Sequence, residues 1–178
     1  MKPIFIYLVL LLFPAAAGDS FYNLTFTGIG SVPISCLGFQ GKRVVVVAFN
    51  GAQPDWGMLR SLDSLQKQQP ASLAVLAFPA MDLDSGFSAA NLAHVHDSLG
   101  LTLSLGLPGY VKKSAAVSQL PVFQWLTNMS RNTHFNRDVE ADGQMFVISP
   151  KGTLYSVIEK TSYSWLLPNV LSATVQGE

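Results

Sequence analysis

Few side chains in this sequence have the chemistry of a nucleophile. The 178 residues contain one cysteine, Cys36, which excludes an intramolecular disulfide and a cysteine-based zinc site. No positive side chain is closer in sequence than Lys42, so no close neighbour lowers the pKa of the thiol. We therefore expect Cys36 to be a small buried apolar side chain. A reactive free thiol and an intermolecular disulfide are the alternatives.

The three histidines lack the spacing of a metal site. His94 and His96 are two residues apart in a segment with helical periodicity, so their side chains point about 200° apart around the axis. They cannot share a metal ion, because ligands on one helix need a spacing of three or four. Asp97 is three residues from His94, and we expect these two to pair on the exposed face. His134 lies in a polar segment, and nothing in the sequence indicates a role for it.

Four aspartates, Asp55, Asp82, Asp84 and Asp142, would bind calcium if they all faced one cleft. Their order lacks a calcium-loop pattern such as D-x-[DN]-x-[DN]-G. The sequence also contains no Gly-rich phosphate loop and no recognisable Ser-His-Asp signature. We therefore predict neither a metal nor another cofactor.

The composition describes one weakly charged globular domain. Hydrophobic residues make up 49% and charged residues only 12%, a balance opposite to that of disordered chains. Eleven basic and eleven acidic residues give a net charge of zero without long runs of one sign, so we expect no nucleic-acid partner. Sequence alone leaves the protein or small-molecule partner unknown, and a homo-oligomer stays open.

The first 17 residues have the form of a secretory signal peptide. Lys2 precedes an apolar run over 4–13, and small residues follow at 15–17. The run is shorter than the ~20 residues of a membrane-spanning helix, and no later stretch is long enough. We therefore expect a secreted, extracellular protein with a mature domain over 18–178. Secretion would make the N-x-[ST] sequons at Asn23 and Asn128 glycosylation sites.

A βαβ unit follows the N-terminal region. Residues 44–49 and 73–78 are continuous apolar runs, typical of parallel strands buried on both faces. Leucines recur at helical spacing over 58–66 between them. The later elements are a helix from N-cap Ser88 to Gly100, a long loop over 102–118, a helix over 120–126, strands over 145–148 and 153–157 around a 150–152 turn, and a helix over 164–175 with Pro168 in its first turn.

This order resembles a thioredoxin-like fold, an α/β fold whose central mixed β-sheet is flanked by helices. The motifs resemble the glutathione peroxidase family in order and spacing over nearly the whole mature chain. They are Ser20-Phe21-Tyr22-Asn23-Leu24, Val32-Pro33-Ile34-Ser35, Gly41-Lys42, Phe78-Pro79, Gly100-Leu101-Thr102-Leu103, Leu120-Pro121-Val122-Phe123-Gln124-Trp125-Leu126 and Pro150-Lys151-Gly152.

The resemblance implies an active site whose functional residues are all substituted. The family's selenocysteine or cysteine position falls at Gln53, or at Ala52 or Pro54 if the turn carries a gap. The family's Gln falls at Asp82, and its Trp-Asn pair falls at Ala141 and Asp142. We expect residues 50–55 at the C-terminal edge of the sheet, with Asp82 and Asp142 within ~10–12 Å of Gln53.

Three functional hypotheses follow. The first is a secreted glutathione-peroxidase-like protein without peroxidase activity, which has a binding or structural role. The second is a redox-active thioredoxin-fold enzyme, such as a peroxidase, that uses Cys36 as a relocated thiol or the cleft acids for other chemistry. The third is a domain similar to the N-terminal domain of selenoprotein P. Its selenium position would fall near Pro54, and its closing motif resembles residues 164–168.

Overall fold

The computed structural model describes residues 19–84, 86 and 88–173. A mixed sheet of five strands, in the order β5-β4-β3-β6-β7, forms the centre, and β1 and β2 form a separate antiparallel pair. The strands are β1 (Thr25–Thr27), β2 (Pro33–Ser35), β3 (Arg43–Asn50), β4 (Leu73–Ala80), β5 (Ser104–Leu105), β6 (Met145–Ile148) and β7 (Leu154–Ile158). The helices are α1 (Trp56–Gln68), α2 (Ala89–Ser98), α3 (Pro121–Leu126), α4 (Met129–Asn132) and α5 (Tyr163–Ser172).

The two apolar runs form adjacent parallel strands, which confirms the predicted βαβ unit. β3 and β4 pair in register from Arg43 opposite Leu73 to Asn50 opposite Ala80, and α1 connects them. β6 and β7 continue the sheet on the other side of β3 in antiparallel orientation. The carboxyl ends of β3 and β4 therefore lie at one edge of the sheet, where the 50–55 loop begins.

Hydrophobic cores on both faces of the sheet explain why β3 shows no polar alternation. Val44 and Val46 pack on one face with Phe123 and Trp125 of α3 and with the N-terminal segment. Val45 and Val47 pack on the opposite face with apolar residues of α1, α2 and α5. A strand covered on both faces needs apolar side chains at successive positions.

The N-terminal segment is tied to the 150–152 turn. The Tyr22 hydroxyl lies 3.0–3.1 Å from the carbonyl oxygens of Lys42, Ser149 and Pro150. Gly152 has φ +85°, and a Cβ there would lie 2.7 Å from Ser20 Oγ. The predicted turn is therefore present, and it requires glycine for both its backbone conformation and its close contact.

Two predicted elements differ from the structure. Residues 102–118 are not loop throughout, because they include the short strand β5 and a 3₁₀ segment, Lys113–Ser118. Pro168 is not in the first turn of α5, since this helix begins at Tyr163 and the proline is its sixth residue. The missing Pro168 N–H removes the helical partner of the Ser164 carbonyl, and Ser164 is exposed to water. Residues 174–175 of the predicted helix lie outside the described residues.

Among the described residues, no helix is long and apolar enough to cross a membrane. The predicted signal peptide, residues 1–17, lies outside the described part of the chain.

Candidate functional site

The 50–55 loop lies at the C-terminal edge of the sheet, as predicted, and its own side chains accept hydrogen bonds from several nearby backbone N–H groups. The Asn50 side-chain oxygen accepts hydrogen bonds from the N–H groups of Ala52 (2.9 Å) and Gln53 (3.2 Å). Asp55 is the N-cap of α1, and its carboxylate accepts the Met58 N–H at 2.9 Å. Protein oxygens therefore already bind the three N–H groups. Gln53 itself is exposed.

A lysine joins this loop to the segment before β6. Lys160 Nζ lies 2.8 Å from Asp142 Oδ2 and 3.0 Å from Asp55 Oδ2. The other Asp142 oxygen accepts the Asn50 N–H at 2.7 Å. These contacts confirm that Asp142 approaches the loop. We call Asp55, Asp142 and Lys160 the Lys160 cluster.

The contacts in the Lys160 cluster stabilise the charged forms of Asp55 and Lys160. The Met58 N–H, followed by Lys160, lowers the pKa of the Asp55 carboxyl. The hydrogen bond to Asp142 raises the pKa of Lys160, and the hydrogen bond to Asp55 raises it further. Together the two bonds outweigh partial burial, which lowers the pKa. The cluster contains two carboxylates and one ammonium, so it adds one net negative charge beside the loop.

Asp82 and Asp84 do not join the Lys160 cluster. Asp82 accepts hydrogen bonds from the N–H groups of Val111 (3.0 Å) and Lys112 (2.6 Å), and Asp84 accepts one from Gly86. Within the described ranges, no hydrogen bond or ion pair joins Asp82 to the 50–55 loop. The expected short distance from Asp82 to Gln53 stays a prediction.

The predicted acidic and histidine residues do not converge on a cation site. The described part of the chain contains no group of three His, Cys, Asp or Glu side chains that could hold a metal ion. Asp97 contacts His96, with Nδ1 3.0 Å from Oδ1, and not the exposed His94 that we expected. His96 also lies 3.0 Å from the Leu103 carbonyl, and that contact turns its ring away from solvent. His134 is exposed and contacts Asn132 and Thr133 in its own turn.

A small cleft borders the 50–55 loop. Its volume is about 330 Å³, and its described walls include Ala52, Pro54, Trp56 and Asn91. The side chains that line it in the described residues are uncharged and contain no thiol. Ala141 is exposed near this edge, beside Asp142. Among the described residues that line the cleft, Asn91 provides a side-chain amide, and no side chain is an ionisable group that could act in catalysis.

Cys36 is inside the hydrophobic core. It begins the 3₁₀ turn Cys36–Phe39, has no exposed surface, and packs in the same cluster as Phe21 and Leu24. Burial raises the pKa of the thiol to about 12. The structure therefore agrees with the expected buried apolar role, because at neutral pH the reactive thiolate is a very minor form.

Both sequon asparagines are exposed. Asn23 ends a 3₁₀ turn, Phe21–Asn23, while Asn128 caps α4. The Asn128 side-chain oxygen accepts hydrogen bonds from the Ser130 N–H and hydroxyl. Exposure is compatible with glycan at both positions, and glycosylation stays a prediction.

A second lysine–carboxylate site, Asp63–Lys67, was not anticipated from the sequence. Asp63 is only 2% exposed, and one of its oxygens accepts the Thr102 N–H, the Thr102 hydroxyl and the Leu103 N–H at 2.7–2.9 Å. Its other oxygen lies 2.6 Å from Lys67 Nζ. Burial raises the pKa of Asp63, but the hydrogen bonds outweigh burial and lower it overall. The sequence around Asp63 does not predict its contacts with Thr102 and Leu103, which are 39 and 40 residues further along the chain.

Sequence comparison identifies no relative, whereas structure comparison identifies many. No family model matches the chain, and no curated protein matches its sequence. The solved structure of Trgpx in apo form has 16% sequence identity and a TM-score of 0.61, over 86% of this chain and 96% of that one. GPX1 of T. cruzi has 14% identity and a TM-score of 0.61, over 88% and 100%. A thioredoxin-family thiol:disulfide interchange protein from Chlorobium tepidum TLS has 14% identity and a TM-score of 0.53, over 89% and 100%.

These similarities define the chain as an α/β protein with a thioredoxin-like fold. The predicted fold class is confirmed, and the resemblance to glutathione peroxidases holds at the level of the fold. The transfer of individual active-site positions to Gln53, Asp82, Ala141 and Asp142 stays a prediction.

Proposed function

We propose that this protein is a secreted, glutathione-peroxidase-like protein that has no peroxidase turnover and acts by binding. Reduction of a peroxide requires a nucleophile that becomes a sulfenic or selenenic acid and is then regenerated. Gln53, Ala52 and Pro54 have neither sulfur nor selenium. The position transferred from the family resemblance therefore has no atom that can be oxidised and re-reduced.

One observation carries the proposal: three backbone N–H donors at this edge, those of Ala52, Gln53 and Met58, are already bound to protein oxygens. In a thiolate or selenolate site, backbone N–H groups near a helix N-terminus stabilise the anion. Here the side chain of Asn50 binds the N–H groups of Ala52 and Gln53, and Asp55 binds the N–H group of Met58. The carboxylates of Asp55 and Asp142 further disfavour a second anion. The loop is built to be stable without a nucleophile.

Cys36 does not offer a substitute. Its thiol has no exposed surface and a pKa of about 12, so peroxide access and thiolate formation both require local opening. The alternative of a redox enzyme with a relocated thiol is therefore disfavoured.

A coupled assay tests the absence of turnover. Purified chain from the medium of secreting cells is mixed with hydrogen peroxide or a lipid hydroperoxide, with glutathione or thioredoxin as reductant. We expect no turnover above the uncatalysed rate in the wild type or in Cys36→Ser. Turnover that disappears in Cys36→Ser would make Cys36 the active residue and would overturn the proposal.

Secretion is tested separately on the same material. Sequencing the amino terminus of chain from the medium should show cleavage after Ala17 or Gly18, and mass spectrometry after glycosidase treatment should report Asn23 and Asn128. Retention of all the chain inside the cell, with residues 1–17 uncleaved, would contradict secretion while leaving the question of turnover to the coupled assay.

A further inference from the structure

A second cleft is separate from the cleft beside the 50–55 loop, because the two share no lining residue. It has a volume of about 500 Å³ and lies between the 3₁₀ segment Lys113–Ser118 and the helices α3 and α4. This volume is within the ~300–1,000 Å³ range of small-ligand sites. Its walls combine basic, amide and small apolar side chains.

Two cations line this cleft, and neighbouring amides hold both in place. Lys113 Nζ donates to Asn136 Oδ1 at 2.7 Å, and Arg131 Nη1 donates to Gln124 Oε1 at 3.2 Å. An ammonium has three donors and a guanidinium has five, so each cation can donate to a ligand as well. The carboxylate that faces Arg131 belongs to Asp19, which is 61% exposed and 3.5 Å from Nε.

The side chain of Gln119, a largely buried residue, provides a hydrogen-bond acceptor in the same cleft. Gln119 is 6% exposed, and its Nε2 donates to the Val111 carbonyl at 2.7 Å and to Thr127 Oγ1 at 3.2 Å. Those contacts fix the orientation of the amide, because the Val111 carbonyl only accepts. Gln119 Oε1 has no hydrogen-bond partner among the described residues. In the described residues, every fully buried side-chain oxygen or nitrogen has a hydrogen-bond partner. Gln119 Oε1 has none, so it is not fully buried, and we infer that it is exposed to the cleft that Gln119 lines.

We propose that this cleft binds the carboxylate of an N-acylated α-amino acid. Lys113 and Arg131 would bind the carboxylate by charge-assisted hydrogen bonds, and the ligand's amide N–H would donate to Gln119 Oε1. Ala116 and Val117 form an apolar rim for the ligand's side chain, and Val117 is 94% exposed. The same chemistry occurs in a free N-acyl amino acid and at the C-terminus of a peptide. The proposal does not depend on the absence of peroxidase turnover, but it requires that Asn128, which also lines the cleft, carry no glycan.

Titration calorimetry at fixed ionic strength tests the ligand chemistry on the wild-type chain. N-acetylglycine should bind, N-acetylglycinamide should bind about tenfold more weakly because it lacks the charge, and propionate should bind more weakly because it lacks the amide N–H. Equal binding of N-acetylglycine and N-acetylglycinamide, or no heat with N-acetylglycine at millimolar concentration, would overturn the proposal.

Charge variants test the location. Arg131→Gln and Lys113→Gln should each weaken N-acetylglycine binding about tenfold, whereas Arg60→Gln, which removes an exposed charge on α1, should leave it unchanged. An equal loss in all three variants would mean a general charge effect and would refute the site. Circular dichroism of each variant confirms folding.

A peptide arm distinguishes the source of the ligand. The affinity of N-acetyl-Ala-Ala-Gly is compared with that of N-acetylglycine. Tighter binding of the peptide, lost when its C-terminus is amidated, supports a protein C-terminus as ligand. Equal affinity supports a free N-acyl amino acid.

Discussion

The two lysine–carboxylate sites, Asp63–Lys67 within α1 and the Lys160 cluster at its N-terminus, differ in burial and in the number of donors on each carboxylate. At Asp63, three donors from residues 102–103 meet one buried oxygen and Lys67 meets the other. In the Lys160 cluster, one ammonium is shared by two carboxylates, and all three side chains are about one-third exposed. Both sites connect the α1 region to a distant part of the chain, but only the first has a buried carboxylate; its lysine, Lys67, is 48% exposed.

This difference separates a buried carboxylate that is fully hydrogen-bonded from a cluster that is in contact with water. A buried carboxylate loses its solvation on folding, so it must be fully hydrogen-bonded, and removal of its partners is costly. A partly exposed cluster is screened by water and salt and contributes little to stability. We therefore expect Asp63 to contribute more to the free energy of unfolding than the Lys160 cluster does.

Asp63→Ala should have the largest effect on stability. It removes four hydrogen-bonding contacts and leaves the Thr102 and Leu103 donors without their acceptor. We expect a loss of about 3 kcal/mol in the free energy of unfolding, measured by urea denaturation. A loss below about 1 kcal/mol would mean that water replaces the carboxylate and that the two sites are equivalent.

Gly143→Ala should destabilise the Lys160 cluster through the backbone. Gly143 has φ +74°, and a Cβ there would lie 2.7 Å from Lys160 Cδ. We expect a loss of about 1–2 kcal/mol, because the substitution both strains the backbone and displaces the lysine. Thermal unfolding measures the loss, and the double variant with Lys160→Met should lose less than the sum of the two single losses.

Acid should destabilise the protein through its depressed carboxyl groups. Asp63 and Asp55 have a lower pKa in the folded state than in the unfolded state, so their contribution is complete above the unfolded value of about 3.9. It is lost as the pH falls through the folded pKa. Between pH 5 and 2, the free energy of unfolding should fall by at most about 1.4 kcal/mol per pH unit through Asp63. The fall through Asp55 should be smaller, because this side chain is 39% exposed and screened by water, so Asp63→Asn should flatten the profile more than Asp55→Asn. The opposite order would contradict the comparison.

Lys160→Met should have the smallest effect. We expect a loss of about 0.5–1 kcal/mol that decreases in high salt, since the cluster is partly exposed. Lys67→Met provides the matched control, because that lysine contacts a buried carboxylate and its loss should be larger and less sensitive to salt. Equal salt dependence in the two variants would refute the distinction.

The sequence was sufficient to predict the helices and strands that are indicated by neighbouring residues. The continuous apolar runs in β3 and β4 identify buried strands, and Ser88 caps α2 as expected. The pair β1–β2 was missed because its strands have three residues each, too few for an alternating pattern to be distinguished from a loop. Pro168 was misplaced because the start of α5 depends on the preceding 3₁₀ turn, Lys160–Ser162.

The candidate site was harder to predict because its contacts are long-range. Asp142 reaches Asn50, which is 92 residues away, and Lys160 joins both of its acids without any local motif. The position of the 50–55 loop was predictable, since open α/β sheets place such loops at the carboxyl ends of their strands. The pairing of its donors was not, because it depends on side-chain rotamers.

A thiol titration measures directly whether the 50–55 loop can stabilise a thiolate. The variant Cys36→Ser/Gln53→Cys carries its one thiol in the loop, and the pH dependence of its alkylation by iodoacetamide gives the pKa. We expect a pKa at or above the ordinary cysteine value of about 8.5, because the Ala52, Gln53 and Met58 N–H groups are bound to side-chain oxygens and the loop lies beside the carboxylates of Asp55 and Asp142. A pKa well below 7 would show that the loop still stabilises an anion and would refute the proposed lack of turnover at this position.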